Sequence, residues 1–227
     1  MYIFGKNVAE EYLKKQKKVK KIYLSKNFKE NLPFQNIPIT YLEKYEMDRM
    51  VNGLHQGIIL EVEDYQYASL SEIIEKENAL IVILDHLEDP HNFGAITRTC
   101  EAAGVNGIII PKDRSVEVNA TVIKVSTGAT ENIPIARVTN IVQTIKELKE
   151  KGFWIVGSDM QGTDYDKIDY RGKTAIIIGN EGSGMSRLVK ENCDFIATIP
   201  MKGKTESLNA SVSAGILIYE AIKSRSL

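Results

Sequence analysis

The segment IPMKGKTESLNASVSAGILIYE (residues 199–220) starts where an apolar run ends and leads through a polar loop into a helix pattern. Two earlier segments have the same character. DHLEDPHNFGAITRTCEAAG (residues 85–104) follows the apolar run 79–84, and GNEGSGMS (residues 179–186) follows the run 175–178. Loops that leave buried strands and open helices hold the ligands of many α/β proteins. Three such loops in one domain therefore predict one composite binding site.

From residue 79 onward, strand and helix patterns alternate along the chain. Strands are predicted at about residues 79–84, 107–110, 133–138, 153–157, 174–178 and 195–199, and helices at about 93–103, 139–151, 186–192 and 207–224. This alternation predicts an α/β fold with a mostly parallel sheet that helices cover on both faces. The last helix is apolar or small on nearly every side, which the domain core could explain and a subunit interface explains better.

The first part of the chain forms a separate pattern. Helices are predicted at residues 5–14 and 41–50, and short strands at 21–24, 37–40 and 57–62. A polar, acidic stretch follows, in which Ser69-x-x-Glu72 is a candidate capping box. We therefore predict a small α/β domain over residues 1–65, a linker over 66–78 and a larger domain over 79–227.

The net charge of −1 conceals an uneven distribution of charge along the chain. Residues 1–50 hold 11 basic and 6 acidic side chains, and eight lysines without an acid lie between Tyr12 and Lys29. Such a run is either a solvated face or a surface that binds phosphates. On the second interpretation, the candidate RNA contacts are Lys14, Lys15, Lys17 and Lys18.

Composition limits the class of protein. The hydrophobic content of 43% is ordinary for a globular chain, and the longest apolar runs are too short to span a bilayer. The first residues lack the apolar core of a secretion signal. Cys100 and Cys193 show neither a pairing pattern nor metal-ligand spacing. We therefore expect reduced thiols, no metal site, no membrane association and a cytoplasmic location.

The segment 179–186 nearly matches the phosphate-binding pattern G-x-x-x-x-G-K-[ST]. Met185, however, occupies the position of the lysine that reaches the β- and γ-phosphates, so a nucleotide triphosphatase is disfavoured. A dinucleotide fold is also disfavoured, because its glycines belong at the first strand of the domain. What remains is a glycine-lined turn with free backbone amides and one carboxylate, Glu181. Such a turn suits a flat, weakly charged ligand.

In the segment 85–104, Asn92 is a candidate helix N-cap and Arg98 lies on the helix that follows. The simplest interpretation is a capped helix with a surface arginine. Alternatively, the two side chains flank one ligand. His55, His86 and His91 have no partner set that indicates a catalytic triad, so we interpret them as structural.

Residues 85–98, 179–185 and 199–211 resemble the three signature blocks of the SpoU family of RNA ribose 2′-O-methyltransferases, within the SPOUT superfamily. The resemblance covers residues 80–223, with the blocks in the family's order. At the N-terminus, GKNVAEEYLKK and the HQG of residues 55–57 resemble the small L30e-like RNA-binding domain. That domain precedes the catalytic one in the bacterial branch that modifies a guanosine of large-subunit ribosomal RNA.

The resemblance implies a C-terminal trefoil knot, a homodimer, and S-adenosylmethionine (AdoMet) bound among the knot loops. By the same resemblance, the cofactor contacts are the backbones of Gly179, Ile199 and Leu208. The residues around the reacting ribose are Asn92, Arg98, Glu181, Ser207 and Asn209.

Arg98 has been considered a general base in this family, but a guanidinium is almost never neutral. We favour Arg98 as a clamp on the neighbouring phosphate and a stabiliser of the developing alkoxide, oriented by Glu181, while Ser207 and Asn209 position the hydroxyl. The predicted function is methyl transfer from AdoMet to a guanosine ribose 2′-hydroxyl of large-subunit ribosomal RNA. The alternatives are a transfer-RNA methyltransferase, an enzyme that protects ribosomal RNA against an antibiotic, and a non-catalytic ribosome-assembly factor.

Overall fold

The computed structural model describes residues 1–14, 18–29 and 36–225. The chain divides into two compact units. One comprises Met1–Gln66 with Val118–Ala120, and the other comprises Tyr67–Glu117 with Thr121–Leu227.

The first unit is a small α/β structure built on four strands. Its sheet has the order β1-β4-β2-β3, with β4 antiparallel to both of its neighbours and β2 parallel to β3. Met47 and Ile59 pack together in its interior. The elements are β1 (Tyr2–Phe4), α1 (Lys6–Lys14), β2 (Val19–Ser25), β3 (Ile39–Leu42), α2 (Lys44–Met50) and β4 (Ile58–Val62).

The second unit contains a six-stranded sheet of order β10-β8-β9-β5-β6-β7, in which every neighbouring pair is parallel. This confirms the predicted fold class, an α/β fold with a mostly parallel sheet; the knot stays a prediction. The strands are β5 (Leu80–Asp85), β6 (Gly107–Pro111), β7 (Ile135–Val138), β8 (Trp154–Asp164), β9 (Thr174–Gly179) and β10 (Phe195–Thr198). The helices are α3 (Leu70–Ile74), α4 (Pro90–Ala102), α5 (Ala120–Val125), α6 (Ile141–Glu150), α7 (Arg187–Glu191) and α8 (Ala210–Arg225).

The central strands β5 and β9 determine where the polar loops meet. Every residue of both strands is buried, as expected for strands covered on both faces. Asp85 pairs with Gly179 at the end of the ladder, so the segments 85–104 and 179–186 leave the sheet side by side. Because parallel strands end at the same edge, the loops after β8 and β10 emerge there too.

Several boundaries differ from those that the sequence predicts. The segment predicted as a linker contains α3, which begins with the expected capping box of Ser69 and Glu72. β8 continues to Asp164, well beyond its predicted end, and its outer half is exposed. α8 begins at Ala210 rather than at residue 207, because the Asn209 side chain accepts a hydrogen bond from the Ser211 amide at 2.9 Å. Residues 207–209 therefore remain in the loop. No helix among the described residues has the length and apolarity needed to cross a membrane.

Candidate active site

The carboxylate of Glu181 lies at the amino end of α4, on the loop that follows β9. Its Oε1 accepts hydrogen bonds from Asn92 Nδ2 at 3.0 Å and from the Asp89 amide at 3.4 Å. Its Oε2 accepts a longer bond, 3.5 Å, from the Glu88 amide. A carboxylate is favourable at a helix amino terminus, where unpaired amides and the helix dipole both stabilise negative charge. The Glu181 side chain is therefore fixed against the first turn of α4.

Asn92 connects Glu181 to the loop before α8. Its buried amide donates to Glu181, and its Oδ1 accepts a 2.9 Å hydrogen bond from Asn209 Nδ2. Asn209 Oδ1 in turn accepts from the amide and the hydroxyl of Ser211, at 2.9 and 2.6 Å. The side-chain amides of Asn92 and Asn209 each donate through nitrogen and accept through oxygen in these hydrogen bonds, so each has a single orientation that suits its partners. Glu181, Asn92 and Asn209 therefore form one ordered row that joins the loop after β9, the first turn of α4 and the loop before α8.

The prediction that Asn92 is a helix N-cap is wrong. The N-cap is Asp89, whose carboxylate accepts from the His91 amide at 2.9 Å, and Pro90 occupies the first helical position. Proline is favoured at that position because it has no backbone N–H, and an N–H there would have no partner within the helix. The backbone hydrogen bond from His91 is the largest influence on the pKa of Asp89, and the pKa is lowered despite partial burial. Asn92 is thereby moved into the first turn, where its side chain is buried.

Arg98 lies two turns further along α4 and is exposed. Among the residues that the structure describes, its guanidinium has no hydrogen-bond or ion-pair partner. Glu181 contacts Asn92 rather than Arg98, so the orienting contact expected between Glu181 and Arg98 does not occur in this structure. An exposed cation without a partner in the described residues is free to bind an anion.

A cavity of about 720 Å³ opens beside this row at the carboxyl ends of β8, β9 and β10. Five of the predicted site residues line it, namely Gly179, Glu181, Ile199, Ser207 and Leu208. Among the described lining residues, the charged side chains are Asp159, Glu181 and Glu206, all acidic. Asp159 is paired with Lys190 at 2.9 Å. The cavity is thus of cofactor size and suits a ligand with positive charge.

The turn after β9 folds tightly back on the end of that strand. Asn180 and Gly184 exchange two backbone hydrogen bonds of 3.0 and 2.9 Å, and Gly184 adopts a left-handed φ of 67°. A Cβ on Gly179 would lie 2.4 Å from both the carbonyl carbon of Gly184 and the amide nitrogen of Met185. Only glycine permits this turn to fold back on the end of β9. Met185 itself is buried in the core, so it does not replace the lysine of a phosphate-binding loop.

The lysines proposed as RNA contacts lie in the first unit. Lys14 is exposed and forms a 2.7 Å ion pair with Glu10 on the same helix. Lys18 pairs with Glu63 at 2.7 Å, and the hydrogen bond raises the pKa of this lysine. Lys15 and Lys17 lie outside the described residues. Because exposed pairs of this kind are weak, Lys14 and Lys18 can exchange these partners for a phosphate.

The histidines and cysteines have structural surroundings. Each histidine lies beside an aspartate: His55 by Asp48, His86 by Asp85 and His91 by Asp89. Burial raises the pKa of both thiols, that of Cys193 to about 11, which makes them poor nucleophiles at neutral pH.

Sequence reasoning missed two parts of this region. Asp159 and Met160 line the cavity from the outer half of β8. In the sequence, these two residues belong to a polar stretch after the predicted end of that strand, and such a stretch is indistinguishable from an ordinary surface loop. Asp85 and Asn180 cross-link two loops through side-chain hydrogen bonds, and only their placement at strand ends pointed to them.

Comparison with known proteins identifies relatives of both parts of the chain. The SpoU rRNA Methylase family model matches residues 79–219, and a model described as RNA 2′-O ribose methyltransferase substrate binding matches residues 2–68. A Bacillus subtilis (strain 168) protein named as a TrmH family tRNA/rRNA methyltransferase is 45% identical, over 99% of this chain and 96% of its own length. A Staphylococcus aureus (strain COL) protein of the same name is 42% identical, over 98% and 96%.

Two solved structures show the same fold. The AdoMet-bound rRNA methyltransferase of Sinorhizobium meliloti has a TM-score of 0.72 and 25% identity, and the alignment covers 98% of this chain and 86% of that one. The SpoU methyltransferase AviRb of Streptomyces viridochromogenes, solved with AdoMet, has a TM-score of 0.77 and 22% identity, with 98% and 89% covered. At 22% identity this second likeness concerns the fold alone.

Proposed function

The chain belongs to the SpoU rRNA methylase family, and we propose that it transfers a methyl group from AdoMet to a guanosine ribose 2′-hydroxyl of large-subunit ribosomal RNA. Membership confirms the predicted family and the predicted enzyme class, an RNA methyltransferase. The choice of ribosomal RNA and of guanosine is the finer part of the proposal. It is supported by the match of residues 2–68 to a substrate-binding model, because that module is the one expected of the ribosomal branch.

The observation that carries the proposal is the row of Glu181, Asn92 and Asn209 beside the cavity. A protein that only binds RNA has no need of three ordered polar side chains next to a cofactor-sized cavity. In an enzyme, such preorganised groups can hold a hydroxyl in one orientation without reorganising during the reaction.

The residues of the cavity fit AdoMet. The all-acidic charged lining suits a cation, and the glycine turn that lines the cavity can pack against Gly179 only because Gly179 has no Cβ. Gly179, Ile199 and Leu208 would hold the cofactor through backbone groups. When bound, AdoMet supplies an electrophilic methyl group on a positively charged sulfur.

The remaining side chains would act on the RNA. In the proposal, Ser207 and Asn209 orient the ribose hydroxyl, and Asn92 and Glu181 keep Asn209 in place. Arg98 binds the adjacent phosphate and stabilises the negative charge that develops on the ribose oxygen. A general-base role is disfavoured, because a guanidinium holds its proton far above neutral pH.

Assembly and location belong to the same proposal. We infer a cytoplasmic homodimer in which α8 contributes to the interface, since Val212 and Tyr219 on this helix are about half exposed, at 50% and 54%. Lys14 and Lys18, with Lys15 and Lys17, would supply sequence-independent attraction to RNA phosphates.

The target is tested by mapping ribose methylation in the RNA of a strain that lacks the gene. We expect one methylated guanosine of large-subunit ribosomal RNA to lose its methyl group and to regain it when the wild-type gene, but not an Arg98→Ala gene, is restored. Loss of a site in transfer RNA would instead favour the transfer-RNA alternative. An unchanged methylation map would favour the non-catalytic one.

A further inference from the structure

Asp85, the last residue of β5, is a buried carboxylate that contacts two different loops. Its Oδ2 accepts a 2.7 Å hydrogen bond from the amide of Ser186, and its Oδ1 lies 2.6 Å from His86 Nδ1. Only 1% of Asp85 is exposed. A carboxylate can only accept hydrogen bonds, so Nδ1 of His86 must carry the proton. Asp85 therefore ties the end of the β9 loop to the turn that follows β5.

His86 makes a second connection between the same loops. Its backbone has a left-handed φ of 58°, an unusual conformation for a residue other than glycine. In this conformation its carbonyl accepts a 2.8 Å hydrogen bond from Asn180 Nδ2. Asn180 Oδ1 accepts from the amides of Gly182 and Ser183, at 2.9 and 3.1 Å. The loop is thus held at both ends, by Asn180 and by Ser186.

Glu181 lies between these two attachment points. Its 3.0 Å contact with Asn92 depends on where the loop lies relative to α4, and α4 begins only a few residues after His86. We propose that Asp85 is a positioning residue, which acts through His86 and Ser186 to hold the loop 179–186 so that Glu181 meets Asn92. This inference rests on the proposed function, because its main readout is methyl transfer.

The substitution Asp85→Asn tests the inference through the proton on His86. An asparagine can accept from Ser186 and donate to His86 Nδ1, but only when that nitrogen has no proton. The wild-type carboxylate instead accepts from neutral imidazole and from imidazolium alike. We expect Asp85→Asn to retain most of the wild-type kcat near pH ~8. We then expect kcat, relative to wild type, to fall about 10-fold or more on the acid side of the profile, because an imidazolium carries a proton on Nδ1 and cannot accept the asparagine's hydrogen bond.

Other titratable groups near this turn are the same in both proteins. They include the Cys193 thiol, whose pKa burial raises to about 11 and which interacts electrostatically with Asp85, and the side chains of Glu88, Asp89, His91 and Glu181. Because these groups do not change, the ratio of the two pH profiles reports on the Asp85–His86 pair. In Asp85→Asn/His86→Asn, which has no imidazole there and retains a residue that tolerates left-handed backbone, the acid loss should disappear.

Asp194→Asn is the matched control. Asp194 also accepts a backbone hydrogen bond, from Ile155 at 2.9 Å, but it precedes β10 at the opposite edge of the sheet. The pH profile of kcat for Asp194→Asn should run parallel to that of the wild type. Thermal unfolding at each pH separates misplacement from unfolding. A parallel profile for Asp85→Asn, or an acid loss that follows unfolding, would contradict the inference.

Nitrogen NMR of histidine makes the test independent of activity, since the chain has three histidines. We expect a proton on Nδ1 of His86 in the wild type and on Nε2 in Asp85→Asn at high pH. The amide signals of Gly182 and Gly184 should shift in acid in the variant, relative to wild type. If the wild type transfers no methyl group at any pH, the proposed function fails, while these signals still decide whether Asp85 positions the loop. An unprotonated Nδ1 in the wild type, or amide signals that move equally in both proteins, would overturn the inference.

Discussion

Arg98→Ala should lower kcat for methyl transfer by about 100-fold or more, the scale on which enzymes lose rate when one preorganised charge stabiliser is removed. The reason is that Arg98 has no partner in the described chain and is free to bind the RNA phosphate and the developing alkoxide. AdoMet affinity should barely change, because Arg98 does not line the cavity. Single-turnover kinetics and calorimetry measure the two effects separately.

Arg98→Lys distinguishes a clamp from a base. Lysine keeps the charge but not the planar fork that binds a phosphate through two hydrogen bonds, so it should retain only a small part of the activity. If the side chain at position 98 acts as a clamp, the pH profiles of kcat for the wild type and for Arg98→Lys should have the same shape and differ only in height. Arg187→Ala, which removes an exposed arginine from α7, is the control and should be nearly neutral. Near-full turnover in Arg98→Ala, or a profile that moves with the side chain's pKa, would refute the clamp.

Gly179→Ala should weaken AdoMet binding by about 100-fold or more, because an error of about 1 Å in a binding site can have consequences of this size. The new Cβ would lie 2.4 Å from the backbone of both Gly184 and Met185, which cannot move aside as a flexible side chain could. The turn would have to separate from the end of β9 and carry Glu181 with it. Isothermal titration of the folded variant with AdoMet measures the loss.

Gly182→Ala is the matched control in the same turn. At Gly182 the nearest atom to a new Cβ would be Asn180 Oδ1, at 3.6 Å, which is ordinary contact. Its AdoMet affinity should stay within a few fold of wild type. If both variants lose AdoMet affinity equally, the turn tolerates no change at all. If both retain it, close packing of the turn against Gly179 is not required for binding.

The meeting of the three loops was predictable from the sequence, whereas the side-chain contacts between them were not. Apolar runs at 79–84 and 175–178 indicated buried strands of a mostly parallel sheet, and parallel strands release their loops at one edge. That argument brings Glu181 and Ser207 to the same place, as the structure does. It gives no information about pairs such as Asp85 and Ser186, which are 101 residues apart and whose contact depends on the tertiary packing.

Local competition explains the errors at element boundaries. Asp89, Asn92 and Asn209 are all good helix caps by residue type, and the sequence does not say which of two nearby candidates is used. Because Pro90 occupies the first helical position, Asp89 is the N-cap. Asn92 is buried in the first turn instead, where it bonds to Glu181. The short elements β1 and α5 escaped detection because they span too few residues to show a period.

The central claim is that this protein methylates a ribose hydroxyl of RNA with AdoMet. The most direct test incubates the purified protein with methyl-labelled AdoMet and either large-subunit ribosomal RNA or transfer RNA, then digests the RNA to nucleosides. We expect the label in 2′-O-methylguanosine from ribosomal RNA, with no added metal and with little transfer by Arg98→Ala. Label on a base rather than a ribose, or no label in either RNA while the protein is folded, would contradict the claim.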